Sequence, residues 1–227
     1  RWLGEALAAL GVRGEVFLMT KTHSPQDRSA ESAKRHLAGS LERLKTDRLD
    51  LWQLHAVSSP YDVDRAFAKG GAMEYILEQK AAGVVRFVGV TGHADPAAHL
   101  RALKHFDDGA RFDTVQLPIN PIDAHTPKSF QKQVLPALVE RDLGVLAMKT
   151  NAGGALAKRS VCSVEECLRS VLGLPVALIV SGMETPEQVR QNAATVRQGP
   201  LDAAQREALM QRIADRSGED LEWYKAK

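Results

Sequence analysis

At 227 residues, 44% hydrophobic and 26% charged, the chain can bury a large core and has the make-up of an ordinary globular protein. A formal net charge of +2, with Lys and Arg scattered, argues against nucleic acid or a membrane surface as partner. Two cysteines, Cys162 and Cys167, are too few for a disulfide framework and read as two thiols on a helix in the reducing cytoplasm, and no apolar stretch nears the roughly 20 residues of a membrane span.

The first segment, "RWLGEALAAL", reads as a helix, and the chain starts inside it. "VFLMT" (16–20) is a strand-length apolar run that leads straight into Lys21, with His23 two places on. A charge at the edge of a core is costly, so Lys21 is a candidate for chemistry. In "SAESAKRHLAGSLERLK", Ala30, Ala33, Leu37, Leu41 and Leu44 stand at steps of three and four, one apolar stripe of a helix. The run "LDLWQLH" (49–55) closes on His55. "GGAMEYILEQKAAG" repeats the helical spacing with Met73, Ile76, Leu77 and Ala81, and Gly83 supplies a stop.

"VRFVGVT" (85–91) ends at Thr91, with His93 beyond, and "TVQLPIN" (114–120) contributes Gln116 and Asn120. Phe130, Val134 and Leu138 predict one further helix that stops by Gly144. "GVLAMKT" (144–150) carries Lys149, with Asn151 after it. Ser163 with Glu166 three residues on predicts a capped helix start. The last run, "VALIVSG" (176–182), brings Ser181.

These six runs recur about every 30 residues, the length of one strand–helix unit. Near-continuous Val, Ile and Leu fits strands buried on both faces of a parallel sheet. The alternation spans 1–227 without a linker, so an α/β fold in one domain is expected. Polar residues end every run, and in a (β/α)8 TIM barrel such ends converge on one mouth. Six units are two short of that barrel. The first and last runs carry no Pro or inward charge to protect an open edge, so two strands are expected upstream of Arg1.

Lys21 and His55 end adjacent strands, where desolvation lowers the pKa of both and suits them to polarise a carbonyl and assist proton transfer. His23, His55 and His93 also end three successive runs, the way metal-binding barrels arrange them, which makes a metal-dependent hydrolase an alternative. No His-x-His pair supports it, and the expectation is no metal.

At this point the sequence resembles the aldo-keto reductase family. "RWLGEALAAL" with "VFLMTK" is similar to the family's second helix and third strand, which implies that Lys21 is the catalytic lysine. "SLERLKTDRLDLWQLH" is similar to the next helix and strand and implies that His55 is the catalytic histidine. "GAMEYILEQKAAGVVRFVGVTGH" implies a nicotinamide-carboxamide site at Thr91 and Gly92, and "TVQLPIN" puts the glutamine of that site at Gln116. "SGMETPEQVRQN" resembles the loop and helix that grip the adenosine end, with Asn192 the clearest match. The implied activity is hydride transfer from NADP(H) to an aldehyde or ketone, a small-molecule carbonyl substrate.

Several positions depart from the family pattern. Its catalytic aspartate and tyrosine lie upstream of a segment like "RWLGEAL", and Tyr61, Tyr75 and Tyr224 stand in the wrong units to replace the tyrosine. Met148 occupies the place of an aromatic that stacks on the nicotinamide, while Lys149 stands where it could reach the pyrophosphate. Gly182, Met183 and Gln188 replace the Lys and Arg that read a 2′-phosphate, so NAD(H) stays open beside NADP(H). A non-catalytic NADP(H)-binding member, a sensor or interaction subunit, is the other alternative.

Overall fold

The structure, a computed structural model, describes residues 1–22, 26–216 and 220–225. It is α/β, with six strands alternating with helices, and its residues divide into two compact units. The first unit holds α1 (Trp2–Leu10), β1 (Met19–Lys21), α2 (Ala30–Leu44), β2 (Leu49–Leu54), α3 (Pro60–Phe67), α4 (Ala72–Ala81), β3 (Val85–Thr91) and nearly all of α5 (Pro96–Asp107). The second holds β4 (Thr114–Pro118, from Val115), α6 (Phe130–Gln133), α7 (Leu135–Glu140), β5 (Gly144–Met148), α8 (Ala155–Lys158), α9 (Val164–Leu172), β6 (Leu178–Ile179), α10 (Pro186–Arg197) and α11 (Ala203–Ile213).

In the first unit, β2 pairs in parallel with β1 and with β3, placing Lys21 beside Gln53 and Gln53 beside Gly89. Both faces of these strands are covered, as their unbroken apolar runs predict: Leu51, Trp52, Leu54, Val88 and Val90 are buried. Trp52 meets Tyr75 of α4 edge to face, with ring centroids 6.2 Å apart. The helical stripes end where expected, and Gly83 takes φ 76, which a side chain would resist.

The first strand is shorter than its apolar run. It begins at Met19, leaving Val16 and Phe17 exposed, and it includes Lys21 as its last residue. Side chains meet the backbone groups before it: Arg13 donates to the Val16 carbonyl at 3.2 Å and Asp50 accepts from Leu18 N at 2.8 Å. A second difference lies at Phe130–Glu140, where one predicted helix is two. Pro136 has no N–H to continue the ladder, so α6 stops at Gln133 and α7 starts afresh, with Phe130, Val134 and Leu138 all buried. Cys162 is not on a helix either; it precedes Ser163, which caps α9 in a complete capping box with Glu166.

In the second unit, β5 and β6 run parallel, and the Ile119 N–H donates to the Met148 carbonyl at 3.0 Å. The segment Leu221–Lys225 seals this unit's core. Lys225 Nζ donates to Asp123 Oδ1 at 2.5 Å and Glu222 Oε2 at 2.6 Å, with all three residues buried. Burial pushes the Asp123 carboxyl above the usual carboxylate range, against the pull of Lys225. Removing one member of such a cluster strands a charge. Lys225→Met should therefore lower stability by about 3–5 kcal/mol, read as an earlier urea midpoint. An unchanged midpoint would show that the ion cluster holds nothing in place.

Candidate active site

Lys21 and His55 come together as expected. With Thr22, His36, Ser40 and Arg43 they line a cavity of about 390 Å3 in the first unit. Lys21 is half-buried, and that burial holds its ammonium below the ordinary lysine pKa.

What fixes His55 is a set of residues the sequence did not flag. Its N–H donates to Thr22 Oγ1 at 2.9 Å. Its carbonyl accepts from Arg28 Nη1 at 2.7 Å, and Arg28 Nη2 reaches the Ala56 carbonyl at 3.1 Å. The same guanidinium grips Asp62 at both oxygens, 2.8 and 2.6 Å, and is almost fully buried. Asp62 also accepts from Ser58 N at 3.1 Å, so the turn from β2 into α3 is pinned at both ends. Ala56 sits at φ 53, a left-handed conformation that this pinning maintains. One arginine in a polar loop gives no periodic signal in the sequence.

Thr91 and Gly92 also lie in the first unit. Thr91 is buried and its carbonyl accepts from Val57 N at 2.9 Å. A Cβ on Gly92 would meet the Val57 carbonyl oxygen at 2.3 Å and His99 Cε1 at 2.9 Å, so only glycine fits.

The second unit contains a cavity of about 1100 Å3. Gln116, Met148, Lys149, Gly182, Gln188 and Asn192, all expected at a dinucleotide, line it together. Gln116 is buried; its Nε2 donates to Met148 Sδ at 3.2 Å, while its Oε1 has no hydrogen-bond partner among the described residues. An orphaned buried acceptor is costly, and a ligand N–H would satisfy it. Asn192 Nδ2 donates to Ser181 Oγ at 3.0 Å. Gln188 Oε1 accepts from Glu184 N at 2.7 Å, which secures the loop entering α10. Lys149 Nζ lies 5.3 Å from the centre of the Trp223 ring and 5.6 Å from that of Tyr224, a cation–π arrangement. These residues fit a nicotinamide dinucleotide: an open amide acceptor, a thioether at its side, glycines at the rim and one ammonium.

Other polar strand ends serve the structure. Asn120 donates to Glu222 and Tyr224 and accepts from Ile122 N and Asp123 N, while Asn151 accepts from Ala157 N. Tyr224 is buried against Glu222, and that burial pushes its phenol pKa far up, a poor setting for a proton donor. His23 lies outside the described residues, and among the described residues no three His, Cys, Asp or Glu side chains gather as a metal site. No helix among them is long and apolar enough to cross a membrane.

Comparison with known proteins places the chain among its relatives. The sequence pattern of the aldo/keto reductase family matches residues 1–165. A 6-dehydroglucose reductase of Novosphingobium aromaticivorans is 31% identical over 68% of this chain and 49% of its own length. An uncharacterized oxidoreductase of Bacillus subtilis, YrpG, is 29% identical over 71% of this chain and 50% of its own. The chain thus spans about half the length of the curated relatives it matches. The apo and holo structures of the aldo-keto reductase AKR11C1 from Bacillus halodurans each superpose on 93% of this chain and on 75% and 76% of their own, with a TM-score of 0.68 and 22% identity.

If Arg28 holds the His55 turn, Arg28→Met should leave Asp62 buried without its cation and lower stability by about 3–5 kcal/mol in urea. Arg28→Lys should recover only part of that loss, since an ammonium cannot reach two carbonyls and both Asp62 oxygens together. Full recovery by lysine would reduce the clamp to a simple charge pair.

Proposed function

Because the chain belongs to the aldo/keto reductase family, we propose that it carries part of an oxidoreductase that reduces an aldehyde or ketone to an alcohol with NADP(H). The observation that supports this most is the 1100 Å3 cavity that Gln116 helps to line, together with the buried Gln116 Oε1, which has no hydrogen-bond partner among the described residues. The bound nicotinamide supplies a hydride to the carbonyl carbon. Gln116 Oε1 accepts from the carboxamide and so fixes which ring face is presented. Met148 packs on the ring in place of an aromatic, a softer and more mobile contact. Lys149 neutralises the diphosphate, and Asn192 and Gln188 hold the adenosine end near the start of α10.

His55 orients the substrate carbonyl through its imidazole, and Arg28 keeps that ring's backbone from drifting. Lys21, partly desolvated, supplies a positive charge that stabilises the developing alkoxide and lowers the pKa of a nearby general acid. The family resemblance implies that this acid is a tyrosine paired with an aspartate. The two free cysteines agree with a cytoplasmic protein.

A second reading concerns the cofactor alone. Among the described residues Lys149 is the one cationic side chain that lines the cavity, and Glu165 and Glu184 line it too. A 2′-phosphate finds little to bind there, so NAD(H) competes with NADP(H) as the working cofactor.

Titration of the protein with NADPH and NADH, followed by tryptophan fluorescence or calorimetry, should show saturable binding of at least one. Gln116→Leu should weaken it roughly fivefold or more. With aldehydes, ketones and quinones as substrates, His55→Ala should lower kcat by about 10²–10⁴. Absence of binding for both dinucleotides, with no oxidation of either, would sink the proposal.

A further inference from the structure

Cys162 and Cys167 are drawn together in a way that neither the fold nor the proposed reaction uses. Their Sγ atoms stand 3.1 Å apart, inside ordinary sulfur–sulfur contact and about 1 Å beyond a disulfide bond. Cys162 lies in the link between α8 and α9, and Cys167 is in the second turn of α9. The capping box of Ser163 and Glu166 holds the intervening turn, so the two sulfurs are kept facing each other.

The pair also touches the wall of the large cavity. Cys167 Sγ donates to Asn151 Oδ1 at 3.9 Å, and Asn151, Val164 and Glu165 all line that cavity. We propose that Cys162 and Cys167 form a reversible intramolecular disulfide on reaction with a hydroperoxide, and that this bond weakens dinucleotide binding at the adjoining wall. The second half of the proposal rests on the dinucleotide reading of the cavity; the first does not.

The two sulfurs have different parts. Cys162 is the attacking one: although buried itself, it lies in a link whose Arg159, Ser160 and Ser163 are exposed, and the contact from Cys167 lowers its pKa. The same contact, with burial, pushes the Cys167 pKa up, as befits the sulfur that resolves. The Cys162 thiolate attacks one peroxide oxygen; a sulfur–oxygen bond forms, the oxygen–oxygen bond breaks, and the leaving alkoxide or hydroxide takes a proton. Cys167 then attacks the sulfenic sulfur; the disulfide forms, the sulfur–oxygen bond breaks, and water leaves. Two thiols lose two electrons and two protons, and the peroxide gains them. Once the thiol proton is gone, Asn151 loses the Cys167 donor and the start of α9 is tied closer to Cys162.

The test treats the protein with hydrogen peroxide, alkylates remaining thiols under denaturing conditions and measures the intact mass. The expected product has lost two hydrogens, takes up no alkylating agent until a reductant is added, and is monomeric. C162S should give no such product while binding dinucleotide as the reduced protein does; C162A serves if the serine variant folds poorly. The oxidised protein should bind NADPH or NADH roughly two- to tenfold more weakly, and reductant should restore the affinity. Both thiols still open to alkylation, or a sulfinic acid on one of them, would overturn the proposal. A disulfide that leaves the affinity unchanged would overturn its link to the cavity. A disulfide in a protein that binds neither dinucleotide in either state would leave the bond standing and remove the cofactor reading instead.

Discussion

The buried guanidinium of Arg28 is the constraint on which the first unit's strand ends depend. It donates to two backbone carbonyls and to both oxygens of one carboxylate, and its own carbonyl accepts from Ala72 N at 2.6 Å. One residue thus ties the end of β2, the first turn of α3 and the start of α4. A charge this deep is tolerated only when each of its donors finds an acceptor, and loss of either partner leaves the other exposed to the full desolvation cost. The arrangement sets where His55 stands more firmly than packing alone would, because carbonyl directions are fixed along with side-chain positions.

The second unit solves a similar problem with its C-terminal segment. Asn120 sits at the end of β4 and meets Glu222 and Tyr224 at 3.0 Å each, while Lys225 binds Asp123. These contacts bring Trp223 and Tyr224 against Lys149, next to the cavity that carries the dinucleotide reading. A segment about a hundred residues later in sequence therefore helps to position an ammonium just past the end of β5. The network is rigid because it is dry, and dry polar networks are stable only when complete.

Much of this was legible in the sequence, and the misses have physical reasons. Runs of Val, Ile and Leu marked all six strands; β2 to β5 are mostly buried and leave little polar alternation, while β1 and β6 are only partly covered. Lys21 and His55 were found because each ends an apolar run, while the family resemblance pointed to Gln116, which lies inside β4; each lines a cavity. The start of β1 was misplaced partly because Asp50 accepts from Leu18 N across 32 residues, and distance in sequence hides such a bond. Arg28, Asp62 and Thr22 were missed for the same reason: a clamp is defined by what it reaches, not by spacing. Cys162 and Cys167 looked like two positions of one helix, and only the capped turn between them shows that they face each other.

The central claim is that the cavity of the second unit receives a nicotinamide dinucleotide by way of the Gln116 side chain. A crystal structure of the protein with NADP+ or NAD+ tests it most directly. The account predicts that the carboxamide donates to Gln116 Oε1, with Met148 against the ring and Asn192 toward the adenosine. A dinucleotide bound elsewhere, or in the cavity with Gln116 Oε1 left without a donor, would contradict it.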